Sequence, residues 1–138
     1  FQNLAMTDFA FLSNTSFLKA APAGATPRRF GLAGLAWDGS TTNRPGARFG
    51  PRAIREASHM LCDAIHPHFD VSPEGVLGDA GDLPLPNTSL VAMREAMRPH
   101  VERLIRAHHM VWLGGDHSIT LPLLRAYRAL HGKPLAVI

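Results

Sequence analysis

Two textures alternate along the chain: short, nearly continuous apolar runs, and longer stretches in which apolar residues recur every three or four positions. The run Arg29–Trp37 (RFGLAGLAW) predicts a strand covered on both faces in a parallel sheet. A polar, glycine-rich loop (DGSTTNRPGARFG) follows. Pro51 then suits a first helical turn, where its missing N–H costs nothing, and Ile54, Ala57, Ser58, Leu61 and Ile65 recur at helical spacing. Glu74–Asp82 (EGVLGDAGD) predicts a second strand running into a Gly/Asp turn. After it, Thr88 is the expected N-cap of a helix whose apolar face is Leu90, Met93, Met97, Val101, Leu104 and Ile105. Pro99 interrupts that helix, and since an interior proline costs about 3 kcal/mol it predicts a kink, or two helices meeting at Arg98. Met110–Leu113 (MVWL) predicts a third strand. A Gly-Gly-Asp-His turn leads from it to a helix over Leu121–Leu130, with Thr120 as cap and Pro122 in the first turn, and PLAVI opens a fourth strand. Residues 1–29 have no sustained period and are expected to form an irregular arm.

Strand, helix, strand, helix in this rhythm implies an α/β fold with a doubly wound parallel sheet, because right-handed crossovers place helices on both faces. A sheet stopping within the apolar run PLAVI would leave an uncovered edge, so the sequence is expected to be a piece of something longer, truncated after the start of that fourth strand.

Composition narrows the function. At 138 residues and 46% hydrophobic, the chain is expected to be a soluble globular domain. It has no apolar window long enough for a membrane span and no basic-then-apolar opening typical of a secretory signal, so no membrane partner is expected. Its single cysteine, Cys62, permits no internal disulfide and favours a reducing, cytoplasmic compartment. The net charge of +3 comes from arginines, of which Arg44, Arg48, Arg52 and Arg55 cluster. No aromatic ladder is interleaved with them and no zinc-finger or RNP-like pattern accompanies them, so no nucleic-acid partner is expected.

Chemistry concentrates in LGGDHSIT, Leu113–Thr120. Ligands of open α/β sheets collect at the carboxyl ends of the strands, where His117 falls. Gly114 and Gly115 allow a sharp turn and a close backbone approach, and a rim histidine serves as metal ligand or proton carrier. The plainer alternative is that Asp116 and Ser118 cap the next helix while His117 packs.

LGGDHSIT, together with GSTTNRPGARFGPRAIREAS (Gly39–Ser58) and GDAGDLPLP (Gly78–Pro86), resembles the amino-terminal half of a ureohydrolase, the arginase and agmatinase family, and is closest in its Arg-Pro-Gly-Ala-Arg-Phe-Gly-Pro loop to the agmatinase branch. The resemblance covers about residues 30–138. It implies a three-layer α/β domain with two Mn²⁺ ions at the carboxyl edge of its sheet, in homo-oligomers, commonly trimers or hexamers. His117 matches the first metal ligand. The other ligands belong to an Asp-x-His-x-Asp segment and a later Asp-x-Asp segment, neither present here, so this segment alone is expected to be inactive. GLAWDGST departs from the Gly-Val-Pro-x-Asp-x-Gly-Thr of many relatives.

The implied reaction is hydrolysis of a small guanidino compound to urea and an amine, with agmatine to putrescine the leading choice. A guanidinium is a poor electrophile, and two bridging metals supply hydroxide at neutral pH. Asp116 is the candidate for holding the other ring nitrogen of His117, or equally for backbone bonding in the turn. No general acid or base is assigned. The alternative function is a non-catalytic binding or assembly subunit that lacks most metal ligands.

Other histidines carry plainer readings. His66 and His68 flank Pro67 in a loop; His108 and His109 end a helix; His59, His100 and His131 lie on presumed helices. The Arg44–Arg52 loop is expected to brace the fold or meet another subunit, and Cys62 to be a packing thiol.

Overall fold

The computed structural model describes residues 15–23, 28–61 and 64–137, so Cys62 and most of the expected arm lie outside the described residues. Its regular elements are β1 (Phe30–Leu35), α1 (Gly50–Ser58), β2 (Leu77–Asp82), α2 (Leu90–Ala107), β3 (His109–Gly114) and α3 (Thr120–His131). Short 3₁₀ turns occupy Phe17–Lys19, Ala47–Phe49 and His117–Ile119. The strands form one parallel sheet in the order β2-β1-β3, with the first strand in the centre.

Its central place explains the unbroken apolar character of β1. Leu32 lies beside Asp79 and Val111, and Gly34 beside Asp82 and Leu113. Because successive side chains alternate, Ala33 and Leu35 turn to one face, where they join Met93, Met97, Val101 and Leu104 of α2 and Ala126 of α3 in the main core. Each large side chain buried there contributes about 1.5–3 kcal/mol. Leu32, Leu77 and Leu113 turn to the other face and pack with Phe17 and Phe30. There α1 crosses so close that a Cβ on Gly34 would lie 2.9 Å from Pro51 Cβ. Helices on both sides of a parallel sheet make the three-layer α/β arrangement expected from the sequence. Beyond α1, the second face opens into an apolar hollow of about 950 Å³, lined by residues that include Phe30, Leu32, Ile65, Phe69 and Val111.

An ion cluster locks α1 to β2. Arg55, with no exposed surface, donates from Nε to Asp79 Oδ2 (2.8 Å), from Nη2 to Asp79 Oδ1 (2.9 Å) and from Nη1 to Asp82 Oδ1. Burial opposes its charge, but the hydrogen bonds it donates to the two carboxylates outweigh that and hold its pKa above the ordinary value. Asp79 also accepts from the backbone N–H of Phe17 (2.7 Å) and Gly81 (2.8 Å). Gly34 makes room: a Cβ there would sit 1.8 Å from Asp82 Oδ1.

Several boundaries differ from the sequence expectation. α1 ends at Ser58, so Leu61 and Ile65 lie in the following loop, exposed. There the Ser58 hydroxyl takes the Arg55 carbonyl (2.6 Å), and the N–H groups of Met60 and Leu61 tighten onto carbonyls three residues back. The N-cap of α2 is Ser89, whose Oγ accepts from Ala92 N (3.1 Å), and not Thr88. α2 runs through Pro99 as one 18-residue helix; Pro99 takes the place of the donor that would meet the Glu95 carbonyl, and both residues lie on the exposed face of the helix. Thr120 is the first residue of α3 and not its cap; Asp116 caps the 3₁₀ turn ahead of it. His109 opens β3, because the extended backbone of His108 ends α2 one residue earlier. Residues 134–137 are exposed and pair with no strand among the described residues, so the expected fourth strand is not seen: an extended run becomes a strand only when a ladder pairs it. Among the described residues no helix is long and apolar enough to cross a membrane.

Candidate functional site

The carboxyl ends of β1 and β3 meet at Gly115. Its N–H donates to Leu35 O (3.2 Å), and the next N–H, of Asp116, donates to Trp37 O (2.7 Å). A Cβ on Gly115 would fall 2.0 Å from Trp37 O and 2.7 Å from Leu35 O. Only glycine lets one backbone lie on the other this closely. Gly114 is less confined, since a Cβ there would meet only the rotatable Ile119 Cδ1, at 2.8 Å.

From this anchor Asp116 ties the turn to the loop after β1. One carboxylate oxygen accepts from Ser40 N (2.9 Å); the other accepts from Ser118 N (2.9 Å) and from the Ser118 hydroxyl. His117 stands exposed on the rim, with Thr120 Oγ1 3.2 Å from its Nδ1. Among the described residues no carboxylate touches the ring. Asp116 therefore bonds the turn and Ser40, and Thr120 is the ring's neighbour.

The loop after β1 is held from beneath by Asp38, 2% exposed. Its Oδ2 accepts from Gly46 N (2.6 Å) and Arg48 N (3.3 Å), and its Oδ1 from Arg48 Nε (2.6 Å), with the Arg48 Nη2 forming an ion pair to the same oxygen. The Arg48 hydrogen bond, helped by the two backbone donors and opposed by burial, lowers the Asp38 pKa below its ordinary value. Thr41 Oγ1 closes the turn by donating to Asp38 O (3.0 Å). Between this loop and the His117 turn lies a polar cleft of about 440 Å³, lined by Ser40, Thr41, Thr42, Asn43, Arg44, Asp116, His117 and Ser118.

The arrangement presents one imidazole, hydroxyls and an amide on a rigid rim. His117 fits a metal as one ligand; among the described residues no group of three His, Cys, Asp or Glu side chains is placed to hold an ion. The remaining histidines are engaged elsewhere. His66 Nδ1 accepts from the N–H of His68 (3.2 Å) and Phe69 (3.3 Å) within its own loop. His59 Nε2 lies 2.9 Å from Ser16 O and His108 Nδ1 2.8 Å from Arg28 O. His109 meets Phe30 edge-on, and His131 stacks with Tyr127. His100 is half-buried, and burial followed by the nearby Arg103 lowers its pKa. Of the arginine loop, Arg48 braces Asp38, and Arg44 lines the cleft.

Sequence reasoning did not single out Asp38, Ser40, Asp79 or Asp82. A signal existed for three of them: an aspartate next to glycine at the end of an apolar run, in WDG and GDAGD, marks a charge at a strand's carboxyl end.

The Arginase family model matches residues 28–138. An agmatinase of Cronobacter sakazakii is 38% identical over 106 residues, which cover 74% of this chain and 35% of that protein. Among solved structures, a hypothetical agmatinase from Burkholderia thailandensis superposes with a TM-score of 0.80 at 31% identity, covering 88% of this chain and 40% of that one. Proclavaminate amidino hydrolase from Streptomyces clavuligerus superposes with a TM-score of 0.75 at 29% identity, covering 88% of this chain and 42% of that one. The chain thus spans 35% of the curated relative's length and 40–42% of these solved structures.

Proposed function

This chain belongs to the arginase family, and on that ground we propose that it carries one wall of a metal-dependent hydrolase site that splits a guanidino compound into urea and an amine. The observation that carries the reading is the exposed His117 imidazole, fixed on the carboxyl edge of the sheet by the Gly115 contact yet, among the described residues, bound by nothing stronger than the Thr120 hydroxyl. A packing histidine would be buried and a capping one spent on backbone; this one is neither. His117 is the proposed ligand for one of two Mn²⁺ ions, whose further ligands come from outside the described residues. When bound, such a pair lowers the pKa of a shared water and supplies hydroxide at neutral pH.

The chain's own residues position and shape. Asp116 holds the His117 turn against Ser40, so its role is to orient the imidazole through the backbone. Asp38 and Arg48 hold the loop that closes the cleft. The hydroxyls of Ser40, Thr41 and Thr42 and the Asn43 amide offer hydrogen bonds to a small polar substrate. Agmatine is the favoured substrate, because the matched curated relative is an agmatinase; arginine, guanidinobutyrate and guanidinopropionate are its competitors. A homo-oligomer in the cytoplasm completes the proposal.

Urea release by the full-length protein, with and without Mn²⁺ and against these four compounds, tests the reading. Mn²⁺-dependent urea from at least one is expected, and His117→Ala should cut it at least 100-fold and lower bound manganese while leaving folding intact. Absence of urea from every guanidino compound under manganese-replete conditions would overturn the hydrolase reading and leave the assembly-subunit alternative.

A further inference from the structure

The positive charge of this chain is concentrated away from the cleft. α2 and α3 together carry Arg94, Arg98, Arg103, Arg106, Arg125 and Arg128 against only two acids, Glu95 and Glu102, an excess larger than the +3 of the whole chain. Both helices pack on the face of the sheet opposite α1, and between them runs a groove of about 420 Å³ lined by Arg94, Arg98 and Arg125 with the two glutamates, Pro122, Ala126 and Ala129. Among the described residues none of these three guanidiniums forms an ion pair; the pairs present use Arg48, Arg52 and Arg55. The Arg94, Arg98 and Arg125 side chains that line the groove are therefore open to pairing with the oxygens of a ligand seated in it.

We propose that this groove binds the phosphate chain of a polyphosphate, whether inorganic or the tail of a nucleotide. Guanidinium forks match phosphate oxygens two at a time, which a single lysine-like point charge does not. Three such forks in one groove suit an extended run of phosphates. A lone carboxylate would satisfy one fork and leave the others unmatched. Glu95 and Glu102 flank Arg98 on α2, and they limit the net charge of the lining, so recognition rests on fork geometry more than on bulk attraction. The groove shares no lining residue with the His117 cleft, and the proposal does not depend on the hydrolase reading.

Calorimetric titration of the metal-free full-length protein with tripolyphosphate, ATP and inorganic phosphate tests the proposal without reference to activity. Saturable binding of tripolyphosphate at one site per chain is expected, at least tenfold tighter than inorganic phosphate. Arg98→Ala, Arg125→Ala and Arg94→Lys should each weaken it about tenfold. Arg103→Ala and Arg128→Ala remove equal charge from the same helices but outside the groove, and should change affinity less than twofold. Binding of ATP and tripolyphosphate at similar strength supports an inorganic ligand; ATP binding more than tenfold tighter supports a nucleotide. No saturable binding, or equal weakening by groove and control variants, overturns the proposal.

Discussion

Gly115→Ala is the sharpest test of how the rim is built. The new Cβ would start 2.0 Å from Trp37 O, and side-chain carbons essentially never approach another heavy atom within 3.0 Å, so the two backbones must part by about 1 Å. That movement stretches the Asp116 N to Trp37 O bond from 2.7 Å to beyond the range in which such a bond survives, and the Gly115 N to Leu35 O bond, already 3.2 Å, goes with it. Each backbone bond contributes about 1 kcal/mol net, and the charge-assisted bond from Ser40 N to Asp116 somewhat more. The substitution should therefore cost roughly 3 kcal/mol, read by urea unfolding against the parent protein. Gly114→Ala is the control: its Cβ meets only the end of the Ile119 side chain, which can rotate away, and it should cost about 1 kcal/mol or less. If Gly115→Ala is no more destabilising than Gly114→Ala, the backbone contact is not what holds the turn.

Other perturbations separate the supports of the fold. Asp38→Asn should destabilise by about 2 kcal/mol at neutral pH by unpairing Arg48 from a buried acceptor, measured by denaturant titration. Because the folded Asp38 pKa is depressed, its contribution is present above the unfolded carboxylate pKa and is lost as pH falls through the lower folded value; stability difference between parent and Asp38→Asn should shrink in acid. Arg55→Met leaves Asp79 and Asp82 without their buried counter-charge and should cost about 3–5 kcal/mol, seen as loss of the cooperative thermal transition at physiological temperature. Ser89→Ala should lower stability by about 1 kcal/mol whereas Thr88→Ala should be nearly silent, a contrast that thermal melts resolve.

The alternation of apolar runs and amphipathic stretches was enough to read three strands, three helices and their parallel, layered arrangement, because each pattern reflects local burial. The apolar face of α2 from Leu90 to Ile105 was legible for the same reason. End points were harder. Whether Thr88 or Ser89 caps α2 turns on a one-residue difference in backbone path that two adjacent hydroxyls cannot reveal, and the end of α1 depends on Ser58 bonding back to Arg55. Pairings across the chain were not legible at all. Arg55 finds Asp79 and Arg48 finds Asp38 only once the strands have taken their places, so the arginine cluster read as a loop of charge when two of its members are buried or half-buried braces. Gly115 was recognisable as a residue for close approach, but its neighbour, Trp37 O, belongs to the segment just after β1, distant in sequence.

That distance shapes how the rim comes into being. β1 is made first, yet it is the middle of the sheet and must wait for β2 and then β3 to find it, and the contact between Ser40 and Asp116 closes a span of 76 residues. Nothing of the cleft can exist in a nascent chain until β3 has emerged and docked, and such long closures are slow compared with helix formation. A ligand felt at His117 is therefore a reporter of the whole assembly: its binding should vanish in one step with the fold and offer no partially retained affinity along the way.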